Sequence, residues 1–172
     1  MFRVGVLTVS DKGWHGERQD RSGEVIREIF SGAGVRVVNY DIVPDEKNLI
    51  ADKLTEWVDE DKLDIIITTG GTGLGPRDVT PEATLSVMDR VAPGFAETMR
   101  AESLKKTPHA MLSRAVSGIR GSCLIANLPG SPKAARECLE SILPALPHAV
   151  ETLSGQGGDC AAVEETSYEN SP

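Results

Sequence analysis

Aromatic side chains are scarce in this chain, because Phe, Trp and Tyr make up only 4% of its 172 residues. The core must therefore be built mainly from Val, Ile, Leu and Ala, and a chain of this length can form one domain with a sizeable core. No stretch approaches the roughly 18 apolar residues that indicate a membrane-spanning helix. The chain also enters a strand-like pattern at once, without the apolar region of a signal peptide. We therefore expect a soluble, cytoplasmic protein without membrane contact.

Cysteine is also rare. Cys123, Cys138 and Cys160 are odd in number and widely spaced, and no Cys-x-x-Cys pair occurs. This pattern indicates neither a disulfide framework nor a zinc site, and it favours a reducing compartment. The three histidines share no metal-ligand spacing, so we expect each to be structural or exposed to solvent.

Positive charge is in short supply, and the formal net charge is −8. A duplex nucleic-acid binder would need a basic surface, so that function class is disfavoured. An anionic small substrate is not excluded, because local amides and Arg can bind phosphate within an acidic protein. The charge is uneven, because the last fourteen residues contain Asp159, Glu164, Glu165 and Glu169 but no Lys or Arg, and the rest of the chain is closer to neutral. We expect a domain over residues 1–154 and an acidic, disordered tail over 155–172.

Apolar segments at 2–9, 35–43, 63–69 and 123–128 are typical of buried strands. Segments with helical periodicity or helix start signals alternate with them. The pattern predicts a helix that Ser22 caps and another in which the Thr80 hydroxyl is the cap and Pro81 the first helical residue. Further helices are predicted at 49–58, 94–105, 132–143 and 146–153. This alternation predicts an α/β sandwich with a mainly parallel sheet.

A glycine-rich loop, residues 70–78, follows the strand at 63–69 and precedes a helix. Ligands in open parallel sheets bind beyond the carboxyl ends of strands, and glycines there expose amide donors to anionic oxygens. The loop is not a Walker A motif, because Gly70 and Gly75 have the spacing but Pro76-Arg77 follows them. It also fails the dinucleotide fingerprint, in which Pro76 would have to be glycine. An ordinary tight turn is the alternative, although its glycines, threonines and Arg-Asp pair exceed what a turn requires.

Polar residues also follow the other predicted strands: Ser10-Asp11 after the first, Asp45 after the second and residues 127–131 after the fourth. A parallel sheet would gather these groups along one edge, which favours an enzyme. Amides and hydroxyls that cradle phosphates, with carboxylates that hold Mg²⁺, fit transfer chemistry on a phosphorylated substrate. No nucleophile–base pair stands out, so the pattern does not support a covalent mechanism.

Each of these residues has a simpler interpretation that the pattern leaves open. Asp45 could cap the helix that follows it, and Asp78 could pair with Arg77 or cap the helix at Thr80. Asn127 could be a loop residue that bonds its own backbone. Arg114 could be a phosphate clamp or part of a surface ion pair.

Seven blocks of the sequence, in order and without a missing block, resemble the MogA/MoaB family of molybdenum-cofactor biosynthesis proteins. They are Thr8-Val9-Ser10-Asp11, Asp20-Arg21-Ser22-Gly23, Val43-Pro44-Asp45-Glu46, Thr68 to Asp78, Thr80-Pro81-Glu82-Ala83, Met111-Leu112-Ser113-Arg114 and Asn127-Leu128-Pro129-Gly130-Ser131-Pro132-Lys133-Ala134. The blocks look most like those of the family's molybdopterin adenylyltransferases and of the related G domains of gephyrin and the plant Cnx proteins. The resemblance covers approximately Phe2 to Leu153 and leaves the tail outside it.

The resemblance implies a three-layer α/β sandwich with a mainly parallel central sheet, assembled as a homotrimer. It implies a Mg²⁺- and ATP-dependent reaction in which the terminal phosphate of molybdopterin attacks the α-phosphate of ATP and pyrophosphate leaves. Molybdopterin and ATP would be the substrates, and other molybdenum-cofactor biosynthesis proteins would be partners. The alternative within the family is a MoaB-like or gephyrin-like protein that binds molybdopterin as a carrier or scaffold without catalysis. A nicotinamide-dependent oxidoreductase is disfavoured by the failed dinucleotide fingerprint.

The resemblance also implies site residues. Asp45 and Asp78 would be catalytic and would hold Mg²⁺, and which of them contacts the metal stays open. The amides and hydroxyls of residues 70–73 would bind phosphate oxygens, whereas Ser113, Arg114 and the 127–131 loop would bind the pterin or its phosphate. The full set of substrate-binding and nucleotide-binding candidates is Ser10, Asp11, Asp20, Ser22, Gly23, Thr69, Gly70, Gly71, Thr72, Gly73, Arg77, Thr80, Ser113, Arg114, Asn127, Pro129, Gly130 and Ser131.

Overall fold

A computed structural model of the protein describes residues 2–155. Within that range six strands form one sheet. In chain order they are β1 (Val4–Val9), β2 (Val37–Val43), β3 (Ile65–Thr69), β4 (Arg90–Val91), β5 (Ser117–Arg120) and β6 (Cys123–Leu128). Their order in the sheet is β2-β1-β3-β6-β5-β4. The β2–β1, β1–β3 and β3–β6 pairs are parallel. At the far edge, β5 pairs with β6 and β4 pairs with β5, both in antiparallel orientation. The predicted mainly parallel sheet is confirmed.

Helices connect the strands and cover both faces of the sheet. They are α1 (Asp11–Trp14), α2 (Arg21–Gly32), α3 (Lys47–Asp59), α4 (Thr80–Val87), α5 (Pro93–Leu104), α6 (Pro132–Ile142) and α7 (Leu146–Leu153). Short 3₁₀ turns occupy Pro108–Leu112 and Leu143–Ala145. Over residues 2–155, no helix is both long enough and apolar enough to cross a membrane.

The core consists of two apolar clusters, one on each face of the sheet. On one face, Phe30 of α2 and Leu139 of α6 pack against β1, β3 and β6. On the other face, Leu54 and Trp57 of α3 belong to the cluster that includes Ile66 of β3. Consecutive strand residues point to opposite faces, so the continuous apolar strands supply both clusters at once. The result is the predicted three-layer α/β sandwich.

Helices begin at or within two residues of the predicted starts near Ser22 and Thr80, but the two predicted capping side chains are wrong. The cap of α2 is Asp20, whose carboxylate accepts from the Gly23 amide at 2.9 Å, rather than Ser22. Thr80 lies inside α4, after Val79, because its hydroxyl donates to the carbonyl of Gly70 at 2.9 Å instead of capping the helix. In α2 the Ser22 hydroxyl donates to the neighbouring Asp20 carboxylate, whereas in α4 a more distant partner, the Gly70 carbonyl, engages the Thr80 hydroxyl.

The short elements α1, β4 and β5 were not expected from the sequence pattern. β4 has two residues, both exposed, and β5 has four. Segments of this length contain too few alternations to give a periodic signal. The predicted tail over 155–172 lies, except for Gly155, outside the described residues, and the predicted domain boundary at 154 stays a prediction.

Candidate functional site

The carboxyl ends of the four parallel strands meet at one edge of the sheet. Val9 of β1 pairs with Val43 of β2, and Thr69 of β3 pairs with Leu128 of β6. The polar segments that follow these strands are therefore neighbours, as the sequence predicted for a parallel sheet. Two cavities open among them.

The first cavity has a volume of about 710 Å³ and is lined largely by polar groups. It lies between the β1–α2 connection on one side and the start of the glycine loop on the other. Its lining includes Ser10, Asp20, Ser22, Asp45, Thr69, Gly70, Gly71, Gly130 and Ser131, all of them predicted site residues. The exposed arginines Arg18 and Arg21 border it as well.

The second cavity, of about 420 Å³, lies between the glycine loop and helices α5 and α6. Its walls combine apolar side chains, such as Met99 and Leu112, with polar ones, such as Arg100 and Ser113. Five other predicted residues line it: Thr72, Gly73, Asp78, Asn127 and Pro129. Gly71 and Gly130 line both cavities, so these two glycines form the boundary between them.

Asp11 and Asp45 fix each other through reciprocal hydrogen bonds. The amide of Asp11 donates to Oδ2 of Asp45 at 2.8 Å, and the amide of Asp45 donates to Oδ1 of Asp11 at 3.0 Å. The helix after Asp45 begins without a side-chain cap, and its flanking residue is Glu46. The simpler interpretation of Asp45 as a helix cap is therefore wrong. The side chain is instead held over the first cavity.

Arg77 links the glycine loop to the two neighbouring strand ends. Its Nε and Nη2 donate to the carboxylate of Asp11 at 3.1 and 2.9 Å, and its Nη1 donates to Glu46 at 2.7 Å. The guanidinium holds the pKa of Asp11 below its ordinary value. Arg77 thus pairs with residues 66 and 31 positions away rather than with the adjacent Asp78.

The carboxylate of Asp45 lies in an electrostatic environment that favours a bound cation. Partial burial raises the pKa of Asp45 above its ordinary value, and the nearby negative charges of Asp11 and Asp78 raise it further. Within residues 2–155, no group of three His, Cys, Asp or Glu side chains is arranged to hold a metal ion. Mg²⁺ needs fewer protein ligands, because it is usually bound by one or two carboxylates together with substrate phosphates and waters. The donor set of Asp45 and Asp78 fits that mode.

The glycine loop needs glycine at its first two positions. Gly70 and Gly71 have φ angles of +98° and +63°, which L side chains adopt only with strain. A Cβ at Gly70 would also collide with the carbonyl oxygen of Val9, and one at Gly71 would collide with the Thr80 hydroxyl. Gly130 completes the close packing, since a Cβ there would lie 3.2 Å from the Cα of Gly70. The boundary between the cavities is therefore bare backbone.

Arg114 braces the far end of the glycine loop. Its Nε donates to the carbonyl of Gly73 at 2.7 Å, its Nη2 donates to the carbonyl of Asp78 at 2.5 Å, and its Nη1 pairs with Glu82. Three of its donors are thus directed at protein acceptors, so neither sequence interpretation is complete: Arg114 forms an ion pair that also positions the loop. Asp78 itself accepts from the Gly75 amide at 2.7 Å and leaves its other oxygen without a donor among the described residues.

Asp20 is the most heavily hydrogen-bonded carboxylate at the site. It accepts from the hydroxyls of Thr8, Ser22 and Tyr40 and from the Gly23 amide, at 2.5 to 3.0 Å. Burial pushes the pKa of Asp20 upward, but these four donors outweigh burial and leave its pKa below the ordinary value. Asp20 therefore stays ionised and holds the start of α2 against β1.

We expect the Asp20→Asn variant to be less stable than the wild type at neutral pH by about 1–2 kcal/mol, because an amide cannot accept from all four donors. The lowered pKa means that the unfolded state binds this proton more tightly, so the stabilisation is complete above the unfolded pKa of about 3.9. It is lost as the pH falls through the lower folded pKa. Urea unfolding at pH 7 and near pH 2 measures this change. A difference between variant and wild type that is equally large at both pH values would contradict the prediction.

Two predicted ligand-binding residues, Thr80 and Asn127, form hydrogen bonds within the framework of the loop. Thr80 is fully buried and lines neither cavity, and a ligand contact at this residue stays a prediction. Asn127 is also fully buried, and its amide group donates to Thr68 and Thr84 at 2.9 Å. Asn127 lines the second cavity, but the polar atoms of its side chain form hydrogen bonds with protein groups. The position of a residue within a family motif does not by itself show whether its side chain supports the loop or faces a ligand.

Several residues that line the cavities were not singled out from the sequence. They are Arg18 and Arg21 in the first cavity and Arg100, Ser103, His109 and Glu137 in the second. They lie on loops and on helix faces that reach the site only through packing. A charged residue on such an element resembles an ordinary surface residue. For Arg21 a signal was present, since it lies in the Asp20-Arg21-Ser22-Gly23 block of the family resemblance.

Comparison with known proteins agrees with this geometry. The family model described as "Probable molybdopterin binding domain" matches residues 5–148. A molybdopterin adenylyltransferase of Helicobacter pylori strain J99 is 47% identical over 156 residues, which cover 90% of this chain and 89% of that protein. The molybdenum cofactor synthesis protein cinnamon of Drosophila melanogaster is 44% identical over 96% of this chain, which spans only 27% of cinnamon.

A solved structure extends the similarity to the fold. The molybdopterin biosynthesis enzyme MoaB of Thermus thermophilus is 57% identical to this chain, with a TM-score of 0.86, and the match covers 90% of this chain and 98% of that one. The sequence blocks and the mainly parallel sheet thus agree with the family match. The chain belongs to the MogA/MoaB family of molybdopterin-binding proteins of molybdenum-cofactor biosynthesis.

Proposed function

We propose that this protein is a molybdopterin adenylyltransferase, which transfers AMP from ATP to the terminal phosphate of molybdopterin and releases pyrophosphate. The observation that supports this best is the pair of cavities that meet at Gly71 and Gly130. Asp45 lies in the first cavity and Asp78 in the second. A transfer between two substrates needs two sites with a common boundary, and carboxylates at that boundary suit phosphoryl chemistry.

The character of each cavity supports an assignment of substrates. The second cavity offers apolar surface from Ala96, Met99 and Leu112 beside polar groups from Arg100 and Ser103, which suits a flat heterocycle with several hydrogen-bonding edges. The first cavity is larger and more polar, which suits a nucleotide triphosphate. We therefore place the pterin between the glycine loop and α5, and ATP between the glycine loop and the β1–α2 connection.

The reaction needs alignment and charge stabilisation more than proton transfer. An oxygen of the molybdopterin phosphate forms a bond to the α-phosphorus of ATP, while the bond from that phosphorus to the bridging oxygen breaks and pyrophosphate leaves. The bare backbone at Gly71 and Gly130 lets both phosphates approach the boundary closely. Amides of the glycine loop would donate to their oxygens, and Arg114 keeps that loop in place.

Mg²⁺ is part of this proposal as a cofactor that Asp45 and Asp78 would hold together with phosphate oxygens. When bound, it would offset the negative charge of the phosphates. Asp11 and Arg77 act through Asp45, because they fix the direction of its carboxylate. Their predicted role in nucleotide binding is therefore proposed here as positioning.

The homotrimer that the resemblance implies is also proposed here. Large apolar side chains are exposed around β4 and the 3₁₀ turn, including Val91 and Met111 at 62% and 67% exposure, which is typical of surfaces that other chains cover. Sedimentation of the purified protein tests it. A cytoplasmic location and contacts with other cofactor-biosynthesis proteins stay predictions.

The proposed activity is tested by incubating the purified full chain with molybdopterin and MgATP. We expect adenylylated molybdopterin and pyrophosphate to form in equal amounts, and omission of either substrate to abolish both products. If the protein binds molybdopterin but releases no pyrophosphate, the carrier or scaffold function replaces the enzymatic one.

A further inference from the structure

Two arginines border the first cavity: Arg18, in the connection between α1 and α2, and Arg21, the first residue of α2. Both are exposed, and within residues 2–155 neither side chain has a hydrogen-bond or ion-pair partner. Other arginines near the site are engaged, since Arg77 binds Asp11 and Glu46, and Arg114 binds the glycine loop. Arg18 and Arg21 are thus the cations in this cavity that are available to a ligand.

Within residues 2–155, the carboxylates beside these arginines form no ion pair or hydrogen bond with them. Asp20 borders the same cavity, but its two oxygens already accept four hydrogen bonds. Glu17 also borders the cavity, and its carboxylate has no hydrogen-bond or ion-pair partner in the described part of the chain. Two guanidinium groups without a partner in residues 2–155 can each donate charge-assisted hydrogen bonds to an anion in this cavity.

The geometry of the proposed reaction determines which part of ATP reaches these arginines. In phosphoryl-type displacement, the attacking and leaving oxygens lie roughly in line on opposite sides of the phosphorus. If the attacking phosphate comes from the second cavity past Gly71 and Gly130, the leaving group must extend away from that boundary into the first cavity. The β- and γ-phosphates of ATP would then point toward the α1–α2 connection.

We propose that Arg18 and Arg21 bind the β- and γ-phosphates of ATP and hold the departing pyrophosphate; this inference rests on the proposed function. Guanidinium groups suit this role because they donate several hydrogen bonds and stay ionised at all working pH values. The two arginines would thereby set the orientation of the nucleotide, with its α-phosphate at the glycine boundary.

The test measures the affinity of MgATP, of inorganic pyrophosphate with Mg²⁺ and of AMP by calorimetry for the purified wild type, Arg18→Gln and Arg21→Gln. We expect each substitution to weaken ATP and pyrophosphate binding about tenfold, which corresponds to ~1.4 kcal/mol. AMP lacks the two outer phosphates, so its affinity should not change. Adenylyl transfer should show a higher KM for ATP and an unchanged KM for molybdopterin.

The matched control is Arg36→Gln. Arg36 is also exposed and has no described partner, but it precedes β2 at the end opposite the site, ~20 Å away along the strand. The Arg36→Gln substitution removes the same charge from the protein, but Arg36 does not line either cavity. Equal thermal unfolding midpoints of all three variants would exclude loss of folding as the cause of any change in affinity.

Two results would overturn the inference. One is pyrophosphate affinity in Arg18→Gln and Arg21→Gln equal to that in Arg36→Gln. The other is an AMP affinity that falls as much as that of ATP, which would place the arginines at the nucleoside or the α-phosphate. If the wild type binds pyrophosphate through these arginines but transfers no adenylyl group, the phosphate site stands and the proposed function fails. If the wild type transfers the group and the variants bind normally, only this inference fails.

Discussion

Asp78→Asn is expected to lower kcat/KM for adenylyl transfer by about 10²–10³-fold, the range that follows removal of one preorganised electrostatic group at a reacting centre. An amide of the same shape keeps the hydrogen bond from the Gly75 amide, which the structure gives at 2.7 Å, so the fold should persist. What is lost is the negative charge that would hold Mg²⁺ against the phosphates. The same reasoning predicts a similar loss for Asp45→Asn, whose amide oxygen can still accept from Asp11.

The measurement is pyrophosphate release at varied MgATP and Mg²⁺ concentrations, with unfolding in urea as the test of folding. Asp52→Asn is the control, because Asp52 is exposed on α3, the helix that follows Asp45, and lines neither cavity. A normal rate for Asp78→Asn with unchanged stability would remove the proposed role of that residue. Equal losses in Asp52→Asn would mean that general charge, not the site, sets the rate.

Gly70→Ala is expected to destabilise the folded protein by about 3–5 kcal/mol and to abolish measurable transfer. The φ angle of +98° is strained for alanine, and the new Cβ would collide with the backbone carbonyl of Val9. Backbone cannot rotate away as a flexible side chain can, so β1 and β3 would have to separate at the site. Urea denaturation gives the free energy of unfolding, and the transfer assay gives the activity.

Gly34→Ala separates the two causes. Gly34 has a φ of +72°, but an added Cβ would meet nothing within 4 Å, so only the conformational cost of about 1–2 kcal/mol should appear. The excess loss in Gly70→Ala over Gly34→Ala measures the collision with Val9. Equal losses of unfolding free energy in the two variants would show that the loop can move away from β1. The interpretation of the boundary between the cavities as rigid would then be wrong.

Sequence patterns were sufficient for the long elements and insufficient for the short ones. The continuous apolar run before Thr69 predicted β3 because a strand buried on both faces needs such a run in any fold. The edge strand β4 has only two residues, both exposed, so it does not need an apolar run that the sequence would reveal. Its pairing with β5 arises from tertiary packing, which a local pattern does not encode.

The candidate site shows the same division. Position after a strand and resemblance to the family selected Asp45 and Asp78, and the structure places one on each cavity. The partners of Arg77 could not be selected in that way, since Asp11 lies 66 positions away and the adjacent Asp78 was an equally plausible partner. Thr80 shows the converse, because a residue within a family motif proves to be buried support for Gly70.

The sequence by itself determined the α/β class, the parallel strands and the glycine loop that follows β3, because periodicity, chain breaks and backbone permissiveness are local properties. The family resemblance added the chemistry. Only the tertiary structure decided that Gly71 and Gly130 separate two cavities and that Arg114 and Thr80 hold the loop. It also decided that Arg18 and Arg21 have no side-chain partner within residues 2–155 and border the first cavity. These features depend on contacts between side chains that are far apart in the sequence and meet only at the edge of the folded sheet.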